Sequence, residues 1–391
     1  MHRVTNVILA VAVAGGLGAA EIKIITPPGA PAGLPFSPGL VVGKLLYVSG
    51  QGGKSARQCL DAVKSVVSAA GLTMEHVVYA QVYVTDPAGY GEVRGAWGEF
   101  FKDGGPALAM LGVAKLPGDA TVEINAVAVT DLASKKAVRV AGAGSTATPD
   151  AVVAGDKLYF SSCYGTTAEG KEPEDPNLRT QLALDRLGVV LKAAGIGYGH
   201  VVFVNPYLAG GRPGGWNTVY AKYFTFGDTP ARATINVSHL PNGAAIAFTG
   251  VAAMNLAARR SVRPKNMDPS PTASPCVFAG DTYYCSAKSA FIPGPNSGIY
   301  AETVENQVRM SLRNLIDGLE EAGLSMANVI ATNVYLDDIQ EFARMNRIYT
   351  QYVKAPLPVR TTVEQLPPVE RKQNAREQWP MVEQISLIAV K

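Results

Sequence analysis

The sequence predicts an α/β protein built from three diverged copies of one unit. A helix-end and strand run recurs as AAGLTMEHVVYAQVYVTD, AAGIGYGHVVFVNPYLAG and EAGLSMANVIATNVYLDD, with a hairpin run before it and a proline-led run after it. Copy by copy, the three runs begin at Val41, Ala69 and Pro106, at Val153, Ala193 and Pro230, and at Phe278, Glu321 and Pro358. Three runs repeated in one order indicate triplication of a whole domain.

Each copy is predicted to fold in the order β-β-α-β-α-β-β. Alternating apolar residues around Gly-Lys or Gly-Asp predict an initial β-hairpin. In the third copy, apolar residues at three-to-four spacing from Val308 to Ala322 predict a helix, and Gly323 stands where a helix end favours a positive φ. The β-branched run NVIATNVYL then predicts a strand, the run FARMNRIYTQY a shorter helix, and the end of the copy two more strands. The sheet face without helices must pack against something else.

The first twenty residues predict a secretory signal peptide. They combine a cationic start at His2 and Arg3, an apolar run from Val7 to Leu17, and small residues before Glu21. The apolar run is too short to span a hydrocarbon core of roughly 30 Å. An uncleaved N-terminal anchor is the alternative. We therefore expect a periplasmic or extracellular protein, with no membrane span after cleavage.

Polar linkers divide the rest of the chain into copies predicted at residues 21–133, 137–257 and 262–391. The run DLASKKAVRV separates the first copy from the second, and the basic, proline-rich run ARRSVRPKNMDPSPTASP separates the second from the third. Stretches of this kind commonly connect domains. The charged run PVERKQNAREQWP occurs in the third copy alone and predicts a surface loop.

Composition and charge favour a globular protein with a small molecule as its partner. Hydrophobic residues make up 47% of the chain and charged residues 17%. The net charge of +3 is small, and no Lys/Arg cluster interleaved with aromatic residues predicts binding to nucleic acid or to a membrane surface. Four cysteines without a CxxC pair and four histidines without metal-ligand spacing predict neither a metal site nor a bound cofactor.

Cys276 and Cys285 are predicted to face each other across a hairpin. If Gly280 and Asp281 form its two-residue turn, pairing outward from the turn brings the two cysteines opposite each other, with Cα atoms about 4.5 Å apart. That separation accepts a disulfide, which an oxidising compartment would permit. Two buried free thiols are the alternative.

Taken in order, these motifs resemble the Rid family, the YjgF-like reactive intermediate deaminases. The matching runs are the hairpin LYVSGQ, the Ala-Gly-Leu helix end, the strand end VYLDD, the asparagine of FARMNRIYTQY and the PxR, LP and VE ending. The resemblance extends over nearly all of each copy. It implies a chorismate-mutase-like fold that trimerises around a central barrel, with ligand sites in the clefts between subunits. Three copies in one chain would then form an intramolecular pseudo-trimer.

The resemblance also implies a pair of site residues in each copy. In the family, the arginine of the PxR motif binds the carboxylate of an imine or enamine, and a glutamate on the final strand positions water. A guanidinium is a planar, two-pronged donor for a carboxylate, and water held by an anionic side chain can add to a C=N bond. In the third copy, Arg360 and Glu383 match the pair and are the predicted catalytic residues. The insertion between them leaves Gln384 as the alternative to Glu383.

The other two copies each keep one member of the pair. The second copy has Arg232 but Ala247 where the glutamate would fall, whereas the first has Leu108 in place of the arginine and keeps Glu123. We therefore expect Arg232 and Glu123 to bind ligand. Leu108 predicts that one cleft is closed to anions.

Further positions that match the family lie near the expected clefts. Asn217 and Asn346 are predicted ligand contacts, with a plain helix-surface role as the alternative. No copy keeps the family's tyrosine-serine pair in full; the corresponding pairs are Phe36-Ser37, Thr148-Pro149 and Ala273-Ser274. The site of the third copy could still be active if a neighbouring copy contributes residues to its cleft.

Two functions are consistent with this sequence. The first is an exported enzyme that hydrolyses small imines or enamines of amino-acid origin to keto acids and ammonia. The second is a non-catalytic protein that binds small carboxylates or amine-derived ligands in degenerate clefts. Export and the residues lost from two copies favour binding, whereas one intact cleft would suffice for catalysis. The absence of a basic patch and of a catalytic histidine cluster disfavours a ribonuclease.

Overall fold

The computed structural model describes residues 21–102, 105–140, 148–211, 214–265 and 267–391. The predicted signal segment, residues 1–20, lies outside these ranges. The described residues form three mixed sheets, each with helices on one face, as the triplicated α/β pattern predicts. No helix in these ranges is long and apolar enough to cross a bilayer.

The three units repeat the same elements in the same order. The first contains β1 (Ile22–Ile25), β2 (Gly39–Val42), β3 (Leu45–Gly53), α1 (Ala56–Ala69), β4 (Val77–Val84), α2 (Gly89–Phe100), β5 (Ala107–Gly112) and β6 (Val122–Val129). The second contains β7 (Lys135–Val138), β8 (Ala151–Ala154), β9 (Lys157–Tyr164), α3 (Pro176–Ala193), β10 (Val201–Ala209), α4 (Trp216–Tyr220), β11 (Ala231–Arg232), β12 (Ile235–Val237) and β13 (Ile246–Ala253). The third contains β14 (Arg259–Val262), β15 (Cys276–Ala279), β16 (Thr282–Lys288), α5 (Val304–Glu321), β17 (Val329–Leu336), α6 (Phe342–Tyr352), β18 (Val359–Glu364) and β19 (Glu383–Val390).

The strand order is the same in all three sheets. It is β1-β2-β3-β6-β4-β5 in the first and β14-β15-β16-β19-β17-β18 in the third. The second sheet is ordered β7-β8-β9-β13-β10-β11, and β12 continues the edge beside β10. The edge strands β5, β11, β12 and β18 run parallel to their neighbours, and the other pairs are antiparallel. The strand that carries the family's arginine position is therefore an edge strand in every unit.

The linker prediction was wrong at two places. Residues 135–138 and 259–262 form β7 and β14, which pair with the hairpins of the units that follow them. Each unit thus gains a strand in front of the predicted order, as β1 does in the first. These strands lie at sheet edges, where charged side chains such as Lys136 and Arg260 are exposed. The charge that suggested a linker belongs to an edge strand.

The first helix of the third unit ends where the sequence predicts. In the third unit the side chain of Thr303 caps the start of α5 by accepting from Asn306 N–H. Gly323 follows the end of α5 with φ 72°, a left-handed conformation that glycine adopts without strain. The apolar stripe of α5 is buried against its own sheet.

The sheet faces without helices pack against one another in a core shared by all three units. Equivalent tyrosines meet there in two sets, one of Tyr47, Tyr159 and Tyr284, and one of Tyr83, Tyr207 and Tyr335. Buried aromatic rings contribute large apolar areas to such interfaces. The shared core covers the second face of each sheet, and it makes the chain an intramolecular pseudo-trimer.

Three equivalent hydrogen bonds close the pseudo-trimer into a ring. In each, a backbone N–H on the edge strand of one unit donates to a serine Oγ of the next: Leu108 to Ser161 (2.9 Å), Arg232 to Ser286 (2.8 Å) and Arg360 to Ser49 (2.9 Å). Each serine hydroxyl in turn donates to a carbonyl of its own unit, that of Pro149, Ser274 or Ser37, at 2.6 Å. The first unit docks on the second, the second on the third and the third on the first.

Cys276 and Cys285 face each other on β15 and β16, and their sulfur atoms are bonded at 2.06 Å. The bond joins two neighbouring strands of the third sheet. Cys59 and Cys163 are buried and unbonded to other sulfurs.

The ring-closing serines lead to a stability prediction. Ser49→Ala removes the acceptor for Arg360 N–H and the donor for the Ser37 carbonyl, leaving two buried polar groups without partners. We expect the unfolding free energy to fall by about 1–3 kcal/mol, measured by urea denaturation. Ser68→Ala, at an exposed position on α1, is the control and should change it by no more than about 0.5 kcal/mol. Equal effects of the two substitutions would contradict this role of Ser49.

Candidate active site

A cleft lies between the third unit and the first. Its cavity has a volume of about 460 Å³, within the range of small-molecule sites. The third unit contributes Phe342, Arg360 and Thr362 to its lining. The first unit contributes Phe36, Gly50, Gly52, Gly53, Lys54, Gln58, Pro117, Gly118, Ala120 and Glu123.

Arg360 lies in this cleft with one side of its guanidinium fixed. The side chain is only 3% exposed, and its Nη1 donates to Asn346 Oδ1 at 2.7 Å. The rings of Phe36, Phe342 and Tyr349 have their centroids 5.0–5.3 Å from its Cζ, a distance at which aromatic faces attract a cation. Its Nη2 is buried and has no hydrogen-bond partner among the described residues. The arginine is thus held in place with a donor left for a ligand.

Glu123 reaches the same cleft from the first unit. It lies on β6, on the sheet face that points away from the helices, and is only 5% exposed. Burial raises the pKa of its carboxyl to about 8, although the charge of Arg360 and the backbone of Thr362 act in the opposite direction. A carboxyl with this pKa can bind or release a proton near neutral pH.

Gly50 provides the space that the Glu123 side chain occupies. It lies in an irregularity of β3 between Val48 and Gln51, where the pairing with β6 shifts. A Cβ atom at this position would overlap the carboxyl group of Glu123. The corresponding residues of the other units are Ser162 and Ala287. The sequence pattern did not single out this glycine, although it stands beside the ring-closing serine in LYVSGQ.

The predicted pairing of Arg360 with Glu383 was wrong. Glu383 lies on the helix face of β19, where its carboxyl accepts a hydrogen bond from Ser311 on α5. Burial raises its pKa to about 8 as well, but it does not line the cleft of Arg360. The error came from assuming that the arginine and glutamate of one copy serve one cleft, whereas the arginine on an edge strand faces the neighbouring unit.

Gln384, the alternative to Glu383, occupies the position equivalent to Glu123. It pairs with Tyr335 in the third sheet as Glu123 pairs with Tyr83 in the first. In the second sheet Ala247 pairs in the same way with Tyr207. The long insertion before β19 adds nine residues to the 15-residue spacing of the other units, so spacing along the sequence could not fix the register. Alternation along a strand places Glu383, one residue before Gln384, on the opposite face.

The cleft between the second and third units has an arginine but no carboxylate at this position. Arg232 Nη1 donates to Asn217 Oδ1 at 2.8 Å, and its guanidinium lies over the rings of Trp216 and Tyr220. Across the cleft, Gln384 Nε2 donates to the Thr234 carbonyl at 2.9 Å. The Arg232–Asn217 hydrogen bond thus repeats that of Arg360 and Asn346, and the amide of Gln384 stands in place of the acid.

The cleft between the first and second units has neither member of the pair. Leu108 holds the arginine position on β5, and Ala247 holds the carboxylate position on β13. This pair offers no charge to an anionic ligand. Only the cleft between the third and first units combines a family arginine with a family glutamate.

Comparison with known proteins identifies the family of the three units. A family model described as endoribonuclease L-PSP matches residues 28–130, 144–254 and 266–369. The chain belongs to this family, the Rid or YjgF-like proteins. The model matches three times, once for each unit, as the triplication predicts.

Single-unit relatives of this Rid protein include a named deaminase. The 2-iminobutanoate/2-iminopropanoate deaminase of Escherichia coli K12 is 34% identical over 124 residues, which is 27% of this chain and 97% of that protein. Protein mmf2, mitochondrial, of Schizosaccharomyces pombe is 35% identical over 92 residues, 22% of this chain and 67% of that protein. One solved structure, a chorismatase, covers 81% of this chain and 93% of its own with a TM-score of 0.52 at 12% identity. That last likeness shows the fold alone.

The raised pKa of the Glu383 carboxyl leads to a prediction on how stability depends on pH. The pKa of Glu383 is about 8 in the folded chain and about 4.3 in an unfolded one. The folded state therefore binds this proton more tightly, so the stabilisation is complete below about pH 4.3 and is lost as the pH rises towards 8. Relative to the parent protein, Glu383→Gln should gain about 4 kcal/mol more in unfolding free energy at pH 8 than at pH 4.5. Chemical denaturation at the two pH values measures it, and an equal difference at both would contradict the raised pKa.

Proposed function

We propose that this Rid protein hydrolyses small α-imino acids, and the enamines that convert to them, to keto acids and ammonia. The proposed site is the cleft between the third and first units. The observation that carries the proposal is that Arg360 and Glu123, from different units, line one cavity. The deaminase named among the relatives supports the reaction class.

Arg360 is the proposed anchor for the substrate carboxylate. Its Nη1 is held by Asn346, and its buried Nη2 has no described partner. A carboxylate oxygen placed against Nη2 would form a charge-assisted hydrogen bond in a site with little water. The rings of Phe36 and Phe342 lie beside the guanidinium and present apolar surface to it.

Glu123 is the proposed proton carrier for the addition of water. An enamine first moves a proton from nitrogen to carbon and becomes the imine. Water then adds to the carbon of R–C(=NH)–COO⁻, and its proton passes to the Glu123 carboxylate. The carboxyl returns that proton to nitrogen, which gives R–C(OH)(NH₂)–COO⁻. The hydroxyl proton then passes through the Glu123 carboxylate to nitrogen, the C–N bond breaks, and R–C(=O)–COO⁻ and NH₃ leave. A pKa of about 8 suits a group that must both accept and release a proton near neutral pH.

A binding function without turnover is the second candidate. The cleft between the second and third units favours it, because Arg232 is set beside Asn217 as Arg360 is beside Asn346. Ligand capture in that cleft is compatible with catalysis in the cleft between the third and first units. A ribonuclease is not proposed, because no histidine is among the residues that line the cavity.

Substitution of the paired residues tests the enzyme. Arg360→Ala removes the carboxylate anchor and should lower kcat/KM for imine hydrolysis at least 100-fold, with most of the loss in KM. Glu123→Gln removes the proton carrier and should lower kcat by about 10²–10⁴-fold. Ammonia release from imines formed in situ from amino acids measures both.

Matched controls are present in the same chain. Arg232→Ala removes the equivalent arginine of another cleft, and Glu383→Gln removes a carboxyl with a similar pKa that faces a helix. We expect both to keep parental turnover. Loss of activity in the controls, or full activity of folded Glu123→Gln, would overturn the assignment of the site. Release no faster than the spontaneous rate in the parent chain would favour the binding function.

We also propose that the chain is exported. Its N-terminal pattern supports this, and so does the Cys276–Cys285 disulfide, since such bonds persist in oxidising compartments. Cell fractionation should find the protein as residues 21–391 outside the cytoplasm. After denaturation without reductant, a thiol reagent should detect two thiols per chain, those of Cys59 and Cys163, and four after reduction.

The double variant Cys276→Ser/Cys285→Ser is the control for the thiol assay. It should give two thiols with and without reductant, because only Cys59 and Cys163 then remain. Four thiols in the unreduced parent, in a protein recovered from the cytoplasm, would contradict export.

A further inference from the structure

We propose that the cleft between the third and first units prefers imines of dicarboxylic amino acids, with Arg360 binding the α-carboxylate and Lys54 the side-chain carboxylate. This inference rests on the proposed function and names its substrate class. Its first basis is that the cleft is lined by two cations, one from each unit. A cavity of about 460 Å³ is also larger than a four-carbon imino acid needs.

A short connection brings Lys54 to the cleft. In the first unit only residues 54 and 55 separate β3 from α1. The equivalent connections are residues 165–175 in the second unit and 289–303 in the third. Because the first unit lacks this long loop, α1 begins at the cavity wall and both Lys54 and Gln58 line it.

Lys54 is held in place without neutralisation of its charge. Its ammonium donates to the backbone carbonyl of Asp119, at the rim of the cleft. No carboxylate among the described residues forms an ion pair with it. An ammonium has three N–H donors, so further donors remain for a ligand. Gln58 Oε1 accepts from Lys54 N–H at 2.9 Å, which leaves the amide NH₂ of Gln58 as a neighbouring donor.

The charges of the cleft favour a dianion over a monoanion. Arg360 and Lys54 are cationic, and the only carboxyl among the lining residues is that of Glu123. Its pKa of about 8 means that it carries its proton for most of the time at neutral pH. A monocarboxylate would leave one positive charge of the cleft unpaired, whereas a dicarboxylate would pair both.

The test compares substrates in the full chain and two lysine variants. Imines are formed in situ from alanine and 2-aminobutyrate as monocarboxylates, and from aspartate and glutamate as dicarboxylates. We expect the parent to show the higher kcat/KM for the dicarboxylates. Lys54→Met should lower the ratio of dicarboxylate to monocarboxylate kcat/KM about 3–10-fold, as for one exposed charge-assisted contact. Lys64→Met, at an exposed position on α1 outside the cleft, should leave the ratio as it is.

A binding measurement separates this inference from the proposed function. Calorimetric titration of 2-oxoglutarate and 2-oxobutanoate into the same three proteins tests Lys54 without turnover. Weaker 2-oxoglutarate binding in Lys54→Met supports the inference even if no imine is hydrolysed. Imine hydrolysis with a ratio unchanged by Lys54→Met, or equal binding of both keto acids in the parent, would overturn the dicarboxylate preference and leave the deaminase intact.

Discussion

The docking of each edge strand onto the next unit is the constraint on which the rest of this structure depends. A backbone N–H of the edge strand meets a serine Oγ of the neighbour, and the same bond occurs three times around the ring. It brings the uncovered faces of the three sheets together in one shared core. It also places whatever side chain stands at Leu108, Arg232 or Arg360 against the neighbouring unit. The ring therefore decides which residues share a cleft.

This geometry explains how a chain with two incomplete copies can keep one complete site. The copy that lost its arginine kept Glu123, and Arg360 of the copy that docks on it completes the pair. In a trimer of identical chains every cleft must have the same residues, whereas covalent linkage lets each cleft diverge alone. The other two clefts are free to lose the acid because the cleft between the third and first units retains it. The short β3–α1 connection, which admits Lys54 to the same cleft, is a change of this kind.

Much of the fold was predictable from the sequence, but the composition of the site was not. Repeats, hairpin glycines and helical periodicity are local signals, so the units and the turn at Gly323 emerged directly. The strands at 135–138 and 259–262 were predicted to be linkers, because half-exposed edge strands contain charged residues as loops do. The choice between Glu383 and Gln384 required the strand register, which an insertion had shifted. To predict that Arg360 shares a cleft with Glu123, one must know that the third unit docks on the first. No local sequence pattern shows which unit docks on which.

The third and first units together form the proposed ligand-binding cleft. A crystal structure of the chain with the keto acid product 2-oxobutanoate tests this most directly. We expect its carboxylate against Nη2 of Arg360, with the keto carbon facing Glu123 and Gly50. A ligand beside Leu108, or one bound at Arg232 while the Arg360 cleft stays empty, would contradict it.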